Sequence, residues 1–312
     1  MAGSNASGDE KQNTFSLLEQ LFCSPDKMIA ETHQLTFISV LNSFLSITAF
    51  LENALILVAL RKESSLHPPS KHLLRTLTTT DLCVGLIVEP LFVTLLLVIV
   101  NEHWNICRYA IIAVDIISPI LCGVSLFTLT AISVDRLLAL LLGLRYKQVV
   151  TLKRVYLMTI SCCVGSTASS TLKRFWNFTF GSLFDVIAVL FCLVISLFSY
   201  MTIFLTLRHR RNHVQNHVQQ PNQTNQLNIA RYRKAVSTAL WLQFMLVACY
   251  LPYAISVALA IHTEPSSSVT LAWSYSFTLI CLNSSLNPIL YCWKIDEVRL
   301  AVKETIRQVL CY

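Results

Sequence analysis

The chain has 312 residues, 54% of them hydrophobic and only 13% charged, with a mean hydropathy of +0.58. Soluble domains carry roughly 25% charged residues, so this composition excludes an ordinary soluble domain and indicates a membrane protein. A net charge of +7 would suit a nucleic-acid binder, but the basic residues lie between apolar runs and on alternate sides of them, which excludes that class.

Residues 1–34 are polar and mixed in charge, with no basic start ahead of an apolar core. No cleaved signal peptide is expected, and the first apolar run serves as the insertion signal. Asn5-Ala6-Ser7 is a glycosylation sequon, usable only if this tail lies outside. Seven apolar runs follow, near 35–60, 73–100, 107–142, 155–172, 182–207, 235–261 and 269–293. Each is long enough for one helical crossing. The fourth is the weakest, interrupted by Ser and Thr and closed by Lys173 and Arg174. The expected organisation is therefore a tail over 1–34, one all-α membrane domain over 35–293, and a last segment over 294–312.

Basic residues orient the spans. Arg61, Lys62, Lys71 and Arg75 follow the first run, and Arg145, Lys147, Lys153 and Arg154 the third. Arg208, Arg210, Arg211, Arg231, Arg233 and Lys234 follow the fifth, and Lys294, Arg299, Lys303 and Arg307 the seventh. The other side holds only Lys11, Lys27, Arg108, Lys173 and Arg174. The positive-inside rule then places the N-terminus outside and the C-terminus in the cytoplasm, which needs an odd number of spans. Asn212 to Asn228, rich in Asn, Gln and His, reads as a mobile cytoplasmic loop whose Asn222-Gln223-Thr224 sequon goes unused. Residues 298–310 alternate apolar and charged side chains as a short amphipathic helix on the inner leaflet would. Cys311 at its end is either a palmitoylation site or an unmodified cysteine.

Polar groups inside lipid-embedded helices are costly, so those present are candidates for function. They are Asn53 in the first run, Asp81 in the second, Ser125 in the third, and Asn283, Ser284, Asn287 and Tyr291 in the seventh. Pro252 in CYLPY and Pro288 in NPILY interrupt helices and free carbonyls at mid-depth. The third run ends at an adjacent acid and base, Asp135 and Arg136, and leaves through the basic stretch GLRYKQVVT. A single buried Asn or Ser commonly only satisfies a neighbouring backbone group. The ordered set carries more weight.

From about Asn53 to Arg299 the chain resembles the class A (rhodopsin-like) G-protein-coupled receptors. Their pattern is N in helix one, L-x-x-x-D in helix two, D-R-Y in helix three, C-W-x-P in helix six and N-P-x-x-Y in helix seven. Leu137 replaces the Tyr of D-R-Y, Gly143 a following Pro, Tyr250 the Trp and Leu246 a Phe. Cys162 or Cys163 replaces the Trp of helix four, and Cys192 the Pro of helix five. The resemblance implies a seven-transmembrane bundle that binds an extracellular ligand and activates a heterotrimeric G-protein at the plasma membrane through outward movement of helix six.

Site roles follow from the same resemblance. Asp81, Ser125, Asn283, Ser284 and Asn287 match the sodium pocket, an oxygen set suited to a hard cation. Arg136 matches the arginine held at rest by its neighbouring acid, here Asp135, and freed to reach the G-protein. Tyr200 and Tyr291 match the tyrosines that support the open state, and Tyr250, Pro252, Asn287 and Pro288 complete the switch. Tyr232 stands where some members carry an acid that locks this arginine to helix six, so raised basal signalling is expected.

Of the cysteines, Cys23 and Cys107 fall on the outer side. Ile111 occupies the family's usual helix-three cysteine position, and the outer loop around 172–181 has no cysteine to pair with it. Cys107 paired with Cys23, or two free thiols, stay open.

Ser118 stands where aminergic members carry an Asp, which disfavours a simple amine, and Cys281 stands where opsins carry the retinal Lys. Glu89 and Asp115 are similar to the acidic cluster of melanocortin-type receptors, Glu89 being offset, or else they hydrate helix ends. With Ser118, Cys122, Tyr253, Trp273 and Phe277 they form the candidate ligand set, for a basic peptide or a nucleoside-like small molecule as in the melanocortin and adenosine branch. Aromatics at membrane ends are also common interfacial anchors. A non-signalling seven-helix scaffold or a transporter is the alternative. No enzyme signature and no resident cofactor beyond an allosteric sodium ion are expected.

Overall fold

The computed structural model describes residues 17–23, 31–62, 66–176, 178–217, 223–294 and 296–310. The side chains of 17, 20, 210–217, 223–240, 291, 293, 294, 296, 297, 309 and 310 lie outside that description, as do Asn5 and Cys311. Nearly everything described is helical. A short tail helix, Leu17–Phe22, precedes α1 (Thr32–Lys62), α2 (Pro68–Val100), α3 (Trp104–Leu142) and α4 (Leu152–Phe175). After them come α5 (Phe178–His217), α6 (Gln223–His262), α7 (Ser267–Lys294) and the amphipathic α8 (Asp296–Leu310). Neighbours in sequence pack side by side, α7 closes the ring against α1, and α3 runs through the middle against α2, α4 and α5.

Six of these helices are long and apolar enough to cross a membrane among the described residues. The exception, α7, has 28 residues but carries Asn283, Ser284, Ser285 and Asn287 on its buried face. Its polarity is turned inward. The bundle's outside is apolar instead, with Phe37, Val40, Phe44, Phe191 and Phe198 exposed, the surface a lipid-facing helix presents. Between helices, polar ties replace the missing hydrophobic drive, each contributing about 0.6 kcal/mol. Asn42 donates to Thr278 Oγ1 at 2.9 Å, and Thr48 meets Ser285 at 3.2 Å.

Prolines and glycines shape the elements. Pro68 and Pro69 start α2, where their missing N–H groups cost nothing. Within α2, Val84–Val88 form a π turn just ahead of Pro90. One more residue in that turn relieves the clash and the lost hydrogen bond that a mid-helix proline brings. The turn rests against α1: Ser46 Oγ donates to the Gly85 carbonyl at 2.7 Å, and a Cβ on Gly85 would sit 2.9 Å from Ala49 Cβ. Gly143 ends α3 with φ of +50°, a conformation that favours glycine over a residue with a side chain. The turn it makes brings Tyr146 back beneath α3.

One sequence expectation needs correction here. Asn212 to Asn228 was expected to be a loop, yet α5 continues to His217 and α6 begins at Gln223. Long apolar helices supply the nucleus, and adding Gln, Arg or His to an existing helix costs little.

Candidate functional site

Three polar centres lie along the bundle axis. The middle one is built on Asp81 of α2, which is 0% exposed. Ser125 of α3 donates to its Oδ1 at 2.8 Å and Ser284 of α7 at 3.0 Å, while Asn287 Nδ2 donates to Oδ2 at 2.8 Å. Pro288 explains part of this geometry. It cannot hydrogen-bond the Ser284 carbonyl four residues back, and Asn53 Nδ2 of α1 takes that carbonyl at 3.0 Å. Four helices thereby meet around one carboxylate. Asn283 is buried on the same turn of α7, with its Nδ2 unpartnered among the described residues.

Glu89 joins this layer rather than the helix end. In a regular helix eight residues advance by about 80° beyond two full turns, which would point Glu89 well away from the Asp81 face. The extra residue of the π turn reduces that offset to about 20°. Glu89 is 0% exposed, and neither carboxylate oxygen has a hydrogen-bond partner among the described residues.

At the end away from the tail helix, Asp135 is buried and held by two hydroxyls. Ser70 Oγ donates to its Oδ2 at 2.9 Å and Tyr146 Oη to its Oδ1 at 2.5 Å. Arg136 is exposed, and among the described residues no ion pair joins it to Asp135, contrary to the expected resting contact. Successive helical residues point about 100° apart and do not face each other. Asp135 therefore turns toward α2 and the Tyr146 turn while Arg136 turns away. Tyr200 of α5 is buried with Leu137 of α3 and Ile203. The side chains of Tyr232 and Tyr291 lie outside the described residues, so their expected roles have no structural account.

Near the tail helix a cavity of about 240 Å³ opens between α3, α4, α5, α6 and α7. Ser118 and Cys122 of α3, Tyr250 and Tyr253 of α6 and Phe277 of α7 all line it, as does Asp185 of α5. Pro252 lies in α6 between the two tyrosines. Trp273 sits above the cavity, stacked on Phe277 with ring centroids 4.9 Å apart, and Phe22 of the tail helix meets it edge-on at 5.1 Å.

The expected acidic cluster of Glu89 and Asp115 does not form. Asp115 is engaged by Lys173, whose Nζ lies 2.6 Å from its Oδ1 with both side chains almost wholly buried. Lys173 had read as a loop cation closing the fourth run. It instead packs inward on Asp115, and Gly181 leaves room for it, since a Cβ there would fall 2.5 Å from Lys173 Cβ. The Phe178 ring lies 5.1 Å from Nζ. Asp185 accepts a 2.6 Å hydrogen bond from Ser169. Sequence reasoning missed Asp185 and Ser169, although an acid inside an apolar run carried the same signal as Asp81.

The tail helix covers this end. Leu18, Leu21 and Phe22 are buried, Thr270 Oγ1 donates to the Leu21 carbonyl at 3.2 Å, and Glu19 pairs with Arg174 at 3.1 Å and Arg108 at 3.6 Å. Cys23 is disulfide-bonded to Cys107 at the start of α3. A family model described as "7 transmembrane receptor (rhodopsin family)" matches residues 52–180 and 163–291, together more than half of the chain.

Proposed function

The chain belongs to the rhodopsin family of seven-transmembrane receptors, and we propose that it binds a small molecule in the cavity beneath the tail helix and activates a heterotrimeric G-protein at the opposite end. It is a multi-pass membrane protein of a signalling family. In this reading the tail lies outside the plasma membrane, residues 294–312 lie in the cytoplasm, and activation moves α6 outward about Pro252. A cavity of about 240 Å³ is near the small end of ligand pockets, roughly 300–1,000 Å³. That size and the tail helix above it favour a small molecule over a basic peptide. A nucleoside would offer more hydrogen-bonding groups than these mainly apolar walls can meet.

The observation that carries the proposal is Asp81, a wholly buried carboxylate whose hydrogen-bond donors come from α3 and α7. Such a joint holds one packing of three helices and is costly unless its charge is balanced. The carboxylate, the Ser125 and Ser284 hydroxyls and the Asn283 amide form an oxygen set that fits a sodium ion. A bound sodium ion would supply the balancing charge and favour the resting packing; Asp81→Asn is expected to abolish any sodium dependence of ligand affinity.

At the G-protein end, Arg136 is exposed while Asp135 is occupied by Ser70 and Tyr146. That arrangement supports raised basal coupling, because no acid has to be displaced from the arginine first. The test is G-protein dissociation in intact cells across the Gα classes, comparing the chain with Arg136→Ala. Basal coupling that disappears in the variant supports the proposal and names the class. A surface-expressed chain that couples to none, with or without ligand pools, favours the scaffold reading.

A further inference from the structure

Access to the cavity from the tail end is closed by the tail helix. Between Leu18 of that helix and Tyr253 lies a void of only about 10 Å³, bounded also by Trp273 and Lys173. The side between α4 and α5 is different. There the cavity wall is made of Gly165 and Ser166 from α4 and Phe184 and Ala188 from α5, with Gly123 of α3 behind them. Gly165 and Ala188 are exposed, and Phe184 is 53% exposed on the bundle's apolar outside. A Cβ built on Gly165 would meet nothing within 4 Å, so the missing side chain leaves an opening rather than relieving a contact.

Charge distinguishes what this opening admits. Among the described residues, Asp115, Lys173 and Asp185 carry charge near this part of the bundle. Lys173 is committed to Asp115 at 2.6 Å. Asp185, on the cavity wall, has the Ser169 hydroxyl as its partner and, among the described residues, no ion pair within 4 Å. The Tyr253 phenol lines the same cavity. The Lys173 ammonium also acts on Asp185 from beyond 4 Å, so two carboxylates share one cation and one negative charge is left over in a low-dielectric wall, where excess charge is expensive. Asp185 is the eighth residue of α5, about 10 Å along the axis from its first residue and within the apolar span.

We propose that the cavity is filled sideways from the bilayer, through a window between α4 and α5, by an amphiphile bearing one protonated amine. The amine pairs with Asp185, and the hydrocarbon part lies against Cys122, Val189, Phe277 and Ile280. This assignment rests on the receptor reading only for taking the cavity as the ligand site.

The test uses the full chain in lipid nanodiscs and dodecylamine carrying a diazirine, with N-acetyl-dodecylamine and dodecanoate as neutral and anionic counterparts. Saturable photolabelling of α4 or α5 by the amine is expected, at least tenfold weaker for both counterparts. Asp185→Asn, which keeps a partner for Ser169, should weaken amine binding at least tenfold. Gly165→Trp fills open space and should slow association at least tenfold with an unchanged melting temperature. Equal binding of the neutral analogue, or unchanged binding in Asp185→Asn, overturns the ligand assignment. An unchanged association rate in Gly165→Trp, or one raised tenfold by Cys23→Ala with Cys107→Ala, overturns the lateral route. Amine binding by a chain that couples to no G-protein leaves this inference standing and removes the receptor reading; coupling without amine binding does the reverse.

Discussion

Lys173 shows how a neighbour decides what a charge means. With Asp115 beside it, burial of the ammonium is compensated; removing it strands a carboxylate in the bundle. Lys173→Met is therefore expected to destabilise the protein by about 3–5 kcal/mol. The double variant Lys173→Met with Asp115→Leu should recover most of that loss, because burying neither charge can be as favourable as burying both. Thermal unfolding of the purified chain in detergent checks the pair, and additive losses would show that the two side chains do not act together. Tyr146 makes a second prediction at this scale. Tyr146→Phe removes a 2.5 Å hydrogen bond to Asp135, and a bond to a charged group contributes about 1.5–3 kcal/mol. If that bond keeps Asp135 away from Arg136, basal coupling falls several-fold in the variant; unchanged coupling assigns Tyr146 to folding alone.

Among the elements, α2 depends most on a local irregularity. Its π turn brings Glu89 round to the Asp81 face, and the turn is seated by Gly85 against α1. A methyl at Gly85 would meet both Ala49 Cβ and the Phe50 backbone nitrogen at 2.9 Å, and backbone cannot give way cheaply. Gly85→Ala is expected to cost about 1–3 kcal/mol. Ser46→Ala, which loses one hydrogen bond to the Gly85 carbonyl, should cost about 1 kcal/mol. The ratio of the two melting shifts checks the account, since a larger effect from Ser46→Ala would mean that the hydrogen bond and not the close approach seats the turn. Sequence reading placed α2 correctly but set Glu89 beside Asp115 or at a helix end. Pro90 was the only hint of the irregularity, and a proline alone does not say whether its helix kinks, breaks or absorbs a residue.

For the whole molecule, the tail is part of the fold. The disulfide from Cys23 to Cys107 spans 84 residues and fixes a helix that buries Leu18, Leu21 and Phe22 over the cavity. Replacing both cysteines by Ser should lower stability by about 2–4 kcal/mol. Amide hydrogen exchange should rise first in Leu17–Phe22, the short helix that the bond tethers to α3. Exchange that stays slow there would mean that the aromatic contact with Trp273 and the Glu19 ion pairs hold the tail without the bond.

By itself the sequence determined the seven apolar helices, the buried carboxylate Asp81 with its partners Ser125, Ser284 and Asn287, and the family pattern that contains them. Those features depend on period, length and residue type, which lipid enforces strictly because every polar group inside it must find a partner. Tertiary structure alone decided the rest. Only packing shows that Asp135 is held by Ser70 and Tyr146, that Lys173 turns inward to Asp115 past Gly181, and that Asp185 is left with a hydroxyl at an open wall. Each of these pairings joins side chains from different helices or across a turn, so its geometry depends on the rotation and depth of the elements, which local sequence pattern does not fix.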